Sequence, residues 1–168
     1  SSFPALVVGI RAFNVHKDLA FKNKILWKYV EQGGTLIVQY NTSRGFDGNT
    51  AGPYPISFSR DRVTDENAKV TVLEPQHPIF NSPNKITSAD FDGWVQERGL
   101  YFSSSWDTSY QPLLSMQDKG ETPKQGSLLV ADYGQGKFIF TGLSFFRELP
   151  AGVPGAYRLL ANLISYGQ

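Results

Sequence analysis

Two short apolar runs near the start of the chain predict strands that are buried on both faces. Residues 5–10 read ALVVGI and residues 35–40 read TLIVQY, without the polar alternation of a half-exposed strand. Between them, residues 18–32 predict a helix, which Gly33 and Gly34 end in a left-handed cap. This strand–helix–strand order is a βαβ unit, so we expect the two strands to be parallel.

The predicted helix has one apolar face. Lys22, Lys24 and Lys28 lie on the opposite side, toward solvent. The residues of the predicted buried face are Leu19, Ile25, Leu26, Tyr29 and Val30.

The middle of the chain carries weaker signals. Residues 41–68 are rich in Gly, Pro, Asn, Ser and Asp, and they predict a long ordered loop with a short strand at residues 56–58. Residues 69–74, KVTVLE, predict a third strand. Residues 90–100 fit either a short helix or a turn, followed by a strand at LYF, residues 100–102.

The last third of the chain is clearer. Residues 127–133 and 137–142 predict a β-hairpin whose turn holds two glycines. Residues 154–166 predict a final helix with Pro154 in its first turn. No repeat or domain boundary interrupts the chain, so residues 1–168 predict a single layered α/β domain with a mixed, mostly parallel sheet.

Length and composition restrict the class of protein. A chain of 168 residues with 40% hydrophobic and 18% charged residues predicts one folded globule. Its net charge of +1 gives no broad attraction for nucleic acid or an anionic membrane, and no apolar run approaches the ~20 residues that cross a bilayer. The lack of cysteine excludes disulfides, thiolate catalysis and cysteine-ligated metal sites.

Polar residues follow the predicted strands where a ligand would bind. In open α/β sheets, ligands bind beyond the carboxyl ends of the parallel strands, and these ends read GIRAFN, QYNTSR and GLSFFRE here. The segment GWVQERG could also reach this strand-end crevice. The candidate ligand-binding residues are Arg11, Asn14, Tyr40, Asn41, Arg44, Trp94, Glu97, Arg98, Ser144, Arg147 and Glu148.

Two interpretations of these charges remain open. Arginines alternating with amides could bind a sugar or a carboxylate. Alternatively, the charged side chains pair with one another and anchor the long loops.

Catalytic signals are weak. Ser43 or Ser144 could act as a nucleophile, but no G-x-S-x-G elbow is present, and His77 lies in a turn-like segment. Glu97 and Glu148 could act as an acid–base pair on a glycoside if they lie within ~5–10 Å of each other.

Metal and phosphate signals are also weak. The two histidines form no H-x-x-H motif, and the acidic run at residues 61–67 fits a solvated turn better than a calcium loop. The segment YGQGKF joins two strands and opens no helix, so it lacks the helix N-terminus of a phosphate loop.

The order strand, helix ending YVEQGG, then TLIVQYN resembles the central unit of class I glutamine amidotransferase-like domains, including their ThuA-like relatives. The resemblance implies a flavodoxin-like layered fold. In catalytic members the second strand delivers a nucleophilic cysteine, and here Tyr40 or Asn41 stands in that place. Several ThuA-like domains carry a histidine after the last strand, where this chain has Ser144, Phe145 and Phe146. The resemblance therefore does not imply amidotransferase activity.

Four segments resemble the C-terminal region of large bacterial PIG-L (LmbE-like) deacetylases: VVGIRAFN, GGTLIVQYNT, DFDGWVQERGLYF and TGLSFFRELPAGVPGAYRL. In that family a separate N-terminal domain uses zinc to remove acetyl groups from sugar-like substrates. The resemblance implies an accessory domain with no cofactor of its own. Its implied partner is the catalytic domain of the same polypeptide, and a carbohydrate is the alternative partner. It also implies an extracytoplasmic location, because related deacetylases are often exported.

The abrupt start of the chain favours a fragment of a longer protein that lacks the first β-α unit of the fold. An unpaired sheet edge would then favour dimerisation or aggregation. We expect a non-catalytic domain that contacts its ligand or partner through the strand-end arginines and Trp94 or Trp106. The alternatives are an independent hydrolase, or a structural spacer whose crevice is filled by Phe145 and Phe146.

Overall fold

A five-stranded mixed sheet forms the centre of the computed structural model, which describes residues 3–44 and 47–168. Residues 45 and 46 of the predicted 41–68 loop and the first two residues of the chain lie outside the described part. The strands are β1 (Ala5–Val8), β2 (Thr35–Gln39), β3 (Ile56–Phe58), β4 (Thr71–Val72), β5 (Ser103–Trp106), β6 (Gln111–Pro112), β7 (Leu114–Ser115), β8 (Leu128–Tyr133) and β9 (Gly136–Thr141).

Five α-helices and three short 3-10 helices accompany these strands in the described part of the chain. The α-helices are α1 (Ala12–Val15), α2 (Lys17–Phe21), α3 (Asn23–Glu31), α4 (Phe145–Glu148) and α5 (Pro154–Ser165). The 3-10 helices are Gly48–Thr50, Pro78–Phe80 and Ser88–Phe91.

The main sheet has the order β1-β2-β9-β8-β6. β1, β2 and β9 are parallel, with Val7 opposite Ile37 and Ile37 opposite Ile139, while β8 is antiparallel to both of its neighbours. The predicted parallel βαβ pairing and the predicted hairpin of β8 and β9 are confirmed. Because three adjacent strands run in the same direction, their carboxyl ends meet at one edge of the sheet.

Alternate residues of β2 face opposite sides of the sheet, and each side has its own core. Leu36 and Val38 belong to a cluster with Val30 of α3. Ile37 belongs to a second cluster with Leu159 of α5. All five side chains are almost completely buried. The protein is therefore a layered α/β fold, with helices on both faces of the sheet.

The single helix predicted over residues 18–32 is wrong in its detail. Lys22 leaves helical geometry, with φ −94° and ψ 4°, and separates α2 from α3. A break of this kind resets the helical phase, so Ile25 is 67% exposed although the continuous pattern placed it inside. The predicted left-handed cap is confirmed at Gly33, where φ is +103°.

The strand predicted at residues 69–74 is also wrong in extent. Only Thr71–Val72 is a strand, and it pairs with β7 outside the main sheet. The pairing of β4 with β7 stops there because Met116, the residue after β7, bonds to Lys124 and not to the segment that continues β4. The strand predicted at LYF begins later, at Ser103, since Tyr101 has a left-handed φ of +52° that interrupts extended backbone.

The C-terminal helix follows the prediction closely. α5 begins at Pro154 and ends at Ser165, and Ala156, Leu159 and Leu163 pack into the core. Within residues 3–44 and 47–168, none of the helices has the length and apolar character needed to span a bilayer.

Candidate ligand-binding site

Tyr40 lies at the carboxyl end of β2, in the middle of the strand-end edge. Its ring stacks on Tyr101 with centroids 5.5 Å apart and meets Phe146 edge-on at 5.6 Å. We call these three residues the aromatic cap. Tyr40 is 6% exposed, and burial raises the pKa of its phenol while the positive charge of Arg11 opposes that rise. The aromatic cap therefore covers the end of β2.

Asn41, one of the two residues expected from the sequence to stand in place of a catalytic cysteine, is fully buried. Its Oδ1 accepts a hydrogen bond from the Phe13 N–H at 3.1 Å, and its Nδ2 donates to the Gln39 carbonyl at 3.2 Å. Asn14 binds the Thr42 backbone in both directions, at 2.8 and 3.1 Å. These two amides hold the segments that follow β1 and β2 against each other.

Ser144 and Glu148 form a buried pair at the start of α4. The Ser144 hydroxyl lies 2.8 Å from the Glu97 carbonyl oxygen and 3.0 Å from Oε1 of Glu148. Oε2 of Glu148 accepts the Val95 N–H at 2.8 Å. Burial raises the pKa of Glu148, although the Val95 N–H and the Ser144 hydroxyl act in the opposite direction. Both side chains are fully buried, so they fasten α4 to the preceding loop.

Glu97 is 2% exposed and is shared by two arginines. Its Oε1 accepts a hydrogen bond from Arg147 at 2.7 Å, and its Oε2 accepts one from Arg62 at 3.1 Å. The Arg147 guanidinium also lies 4.8 Å from the Phe146 ring centroid. The carboxylate is thus engaged by internal cations.

Arg98 and Trp94 point into the protein rather than into the strand-end crevice. Arg98 is 5% exposed and donates to the carbonyls of Ala68 and Phe91. Burial lowers the pKa of its guanidinium. Trp94 is 3% exposed and donates its indole N–H to the Asp90 carbonyl at 3.0 Å. Both side chains therefore stabilise the loop between Ser88 and Phe102 from within.

An open cleft lies beside the aromatic cap, and we call it the arginine cleft. It consists of two cavities of about 230 and 210 Å³ that share Arg60 and Tyr101. The residues that line it are Arg11, Thr42, Ser43, Arg44, Arg60, Arg62, Leu100 and Tyr101. Arg11 and Arg44 are predicted at this site from the sequence. Arg60 is not, because nothing in the local sequence shows that its loop folds toward β2.

Trp106 lines a different and larger cavity of about 540 Å³. Asp61, Glu121 and Lys124 are among its other lining residues. This cavity is formed by β5 and the segment before β8, so it does not include the residues that directly follow β1, β2 and β9.

His77 has a local structural role, in line with the predicted turn. It caps the 3-10 helix Pro78–Phe80, and its Nδ1 accepts the Ile79 N–H at 3.2 Å. Burial lowers the pKa of its imidazole. Within the described ranges, no three or more histidine, aspartate or glutamate side chains are grouped so that they could hold a metal ion.

The fold resembles that of several solved structures. The cytoplasmic proteins STM3548 and STM1381 of Salmonella typhimurium each share 14% identity with this chain, with TM-scores of 0.60 and 0.59. The similarity covers 98% and 97% of this chain and 72% and 71% of theirs. At this identity it shows a shared layered α/β fold.

The β-galactosidase of Bacillus circulans sp. alkalophilus has 13% identity and a TM-score of 0.48 over 96% of this chain and 21% of its own. That similarity is too low to support a shared fold. No family model and no curated protein matches the sequence.

Proposed function

We propose that this chain is a non-catalytic accessory domain with a flavodoxin-like, class I glutamine amidotransferase-like fold, belonging to a PIG-L-type N-acetyl-sugar deacetylase. Its role would be to bind the substrate or to dock on the catalytic domain through the strand-end edge. The family context rests on the four resembling segments, and the layered fold with its parallel core is compatible with it. In this proposal, zinc belongs to the catalytic domain, and the extracytoplasmic location stays a prediction.

The burial of Ser144 with Glu148 is the single observation that carries the non-catalytic interpretation. A nucleophile must reach both a base and a substrate carbonyl. The Ser144 hydroxyl instead contacts a carbonyl and a carboxylate inside the protein. In the same way, Asn41 in the elbow position uses its amide to bind two backbone groups.

The geometry disfavours Glu97 and Glu148 as a glycosidase pair. A glycosidase needs one carboxyl that protonates the leaving group and one that attacks or activates water, both facing the sugar. Here Glu97 binds Arg62 and Arg147, while Glu148 binds Val95 and Ser144. Neither carboxyl lines any of the five cavities described for this part of the chain, so none of these cavities supports the rival function.

Calorimetric titration tests the proposal. We expect heat of binding when the purified chain is titrated with N-acetylglucosamine, with glucosamine, or with an isolated PIG-L deacetylase domain. A parallel assay with p-nitrophenyl acetate and p-nitrophenyl glycosides should show no turnover above buffer. Absence of heat in all three titrations contradicts the accessory role, and turnover that is lost in Ser144→Ala contradicts the non-catalytic interpretation.

A further inference from the structure

Three arginines line one cavity of the arginine cleft. Arg11, Arg44 and Arg60 all line the 230 Å³ cavity, and all are exposed. Within residues 3–44 and 47–168, none of the three has a salt bridge, whereas Arg62, Arg147 and Arg158 are each paired with a carboxylate. The described lining of the cleft contains no aspartate or glutamate. The 230 Å³ cavity is therefore lined by three arginines that have no carboxylate partner among the described residues.

Hydrogen bonds hold the backbone of the cleft in place. The Arg11 N–H donates to the Tyr40 carbonyl at 2.8 Å, and Asn14 binds both backbone groups of Thr42. Next to Arg60, the Ser59 N–H and hydroxyl both donate to the Phe102 carbonyl, at 3.0 and 2.8 Å. The backbone that carries Arg11 and Arg60 is thus fixed before binding, which lowers the entropic cost of ordering these residues around a ligand.

Among the described residues, three non-glycine residues have a left-handed φ, and two of the three line this cavity. Arg11 and Tyr101 have φ values of +56° and +52°, a left-handed conformation that costs a non-glycine residue about 1–2 kcal/mol. Such outliers cluster at ligand-binding sites, where the surrounding structure enforces them. Both residues line the cavity, and both also contact Tyr40, one through its N–H and the other through its ring.

We infer that the arginine cleft binds a small polyhydroxylated anion, with its carboxylate or phosphate group held by Arg11, Arg44 and Arg60. Guanidinium groups bind both anions through paired, charge-assisted hydrogen bonds. Thr42, Ser43 and Tyr101, which each carry a hydroxyl group, line the same cavity, and hydroxyls can exchange hydrogen bonds with those of a sugar-like body. The cavities are smaller than those that hold drug-sized ligands, so the ligand is about the size of a single sugar.

The sugar-like body of the ligand rests on the proposed function, while its negative charge rests on the arginines alone. The two claims can fail separately. Binding of anions without binding of N-acetylglucosamine, glucosamine or a deacetylase domain would refute the accessory role and leave the inference about the cleft intact. Binding of the deacetylase domain without binding of any anion would refute the cleft and leave the accessory role standing.

Calorimetric titration of the purified chain with glucuronate, glucose 6-phosphate and glucose tests the inference. The first two probes distinguish a carboxylate from a phosphate, and the third lacks an anion. We expect at least one anion to bind and glucose to bind at least about tenfold more weakly. Arg60→Gln and Arg44→Gln should each weaken anion binding by about tenfold, while the exposed Lys24→Gln on α3, which removes the same charge, should leave it unchanged.

The variants should fold, because Arg44 and Arg60 are exposed, and circular dichroism checks this. A measurement on the unmodified chain supports the same test, since anion binding should weaken as sodium chloride rises and screens the charges. Preference for one anion over the other supports the inference and assigns the group. The inference is overturned if neither anion binds, if glucose binds equally well, or if Arg60→Gln and Lys24→Gln behave alike.

Discussion

The hydroxyl of Ser144 lies 3.0 Å from Oε1 of Glu148, and neither side chain is exposed to solvent. The other carboxylate oxygen of Glu148 accepts the Val95 N–H, so the pair connects the start of α4 to the loop that precedes Arg98. The hydroxyl also contacts the Glu97 carbonyl in that loop. Two residues with the chemistry of a catalytic site therefore stabilise the strand-end edge.

Replacing Glu148 should change how stability depends on pH. Gln can accept the Val95 N–H and donate to Ser144 without a charge, so Glu148→Gln should stay within about 1 kcal/mol of the unmodified protein at pH 7. Glu148→Ala leaves the Val95 N–H unpaired and should cost about 1–3 kcal/mol.

The sign of the pH effect follows from burial, which raises the pKa of Glu148 in the folded state. Below the ordinary glutamate pKa of about 4.3, Glu148 is protonated in both the folded and the unfolded protein, so burying it carries no cost for a charge. As the pH rises through the folded pKa, the unmodified protein loses stability relative to Glu148→Gln. Urea unfolding from pH 4 to 8 measures this difference. Parallel pH curves for the two proteins would refute the assignment.

Asn41 should be needed for folding rather than for chemistry. Asn41→Ala removes the acceptor for the Phe13 N–H and the donor to the Gln39 carbonyl, and should lower the free energy of unfolding by about 1–3 kcal/mol. The matched control is Asn67→Ala, at an exposed position, which should change it by less than about 0.5 kcal/mol. Equal costs at the two positions would contradict the structural role of Asn41.

The two ion pairs of Glu97, with Arg147 and with Arg62, should differ in coupling free energy. Arg147 is closer, at 2.7 Å against 3.1 Å for Arg62, and its side chain is 33% exposed against 51%. Solvent screens the more exposed pair more strongly. Double-mutant cycles with Glu97→Gln, Arg147→Met and Arg62→Met should therefore give a larger coupling free energy for Arg147. A larger coupling with Arg62 would show that the geometry of this triad is wrong.

A side chain at Gly99 should destabilise the protein, because the loop before Tyr101 packs directly on the end of β9. A Cβ at Gly99 would lie 2.3 Å from the Gly142 carbonyl oxygen, while a Cβ at Gly9 would meet nothing within 4 Å. We expect Gly99→Ala to cost about 1–3 kcal/mol and Gly9→Ala much less. Thermal unfolding of both variants checks this, and an unchanged midpoint in Gly99→Ala would contradict the close contact.

The parts of the fold that the sequence predicts are those with local signals. The βαβ unit, the β8–β9 hairpin and α5 are marked by apolar runs, glycines and Pro154. The break at Lys22 and the left-handed Tyr101 carry no such signal, because tertiary contacts impose them. Long loops are where the pattern of hydrophobic residues gives least information.

Some residues of the candidate site could also be predicted from local sequence signals, and others could not. Arg11 and Tyr40 come together because each follows a parallel strand, which the sequence predicts. Arg60 joins them through long-range contacts: β3, just before it, pairs with β5, and Ser59 bonds to Phe102, 43 residues away. Trp94 and Arg98 are predicted from the sequence to line the crevice, but in the structure they face the interior. Residue type and loop position alone do not show which way a side chain points.

An NMR titration of the isotope-labelled chain with glucuronate tests the central claim most directly, because one experiment reports both binding and cleavage. We predict chemical-shift changes at the backbone amides of Arg11, Thr42, Arg60 and Tyr101 when glucuronate is added. When the methyl glycoside of glucuronate is supplied instead, we predict that the spectrum of this ligand is unchanged after a day. Amide shifts confined to other parts of the chain would contradict binding at the strand-end edge. Appearance of free glucuronate that stops in Ser144→Ala would contradict a site that binds without cleaving.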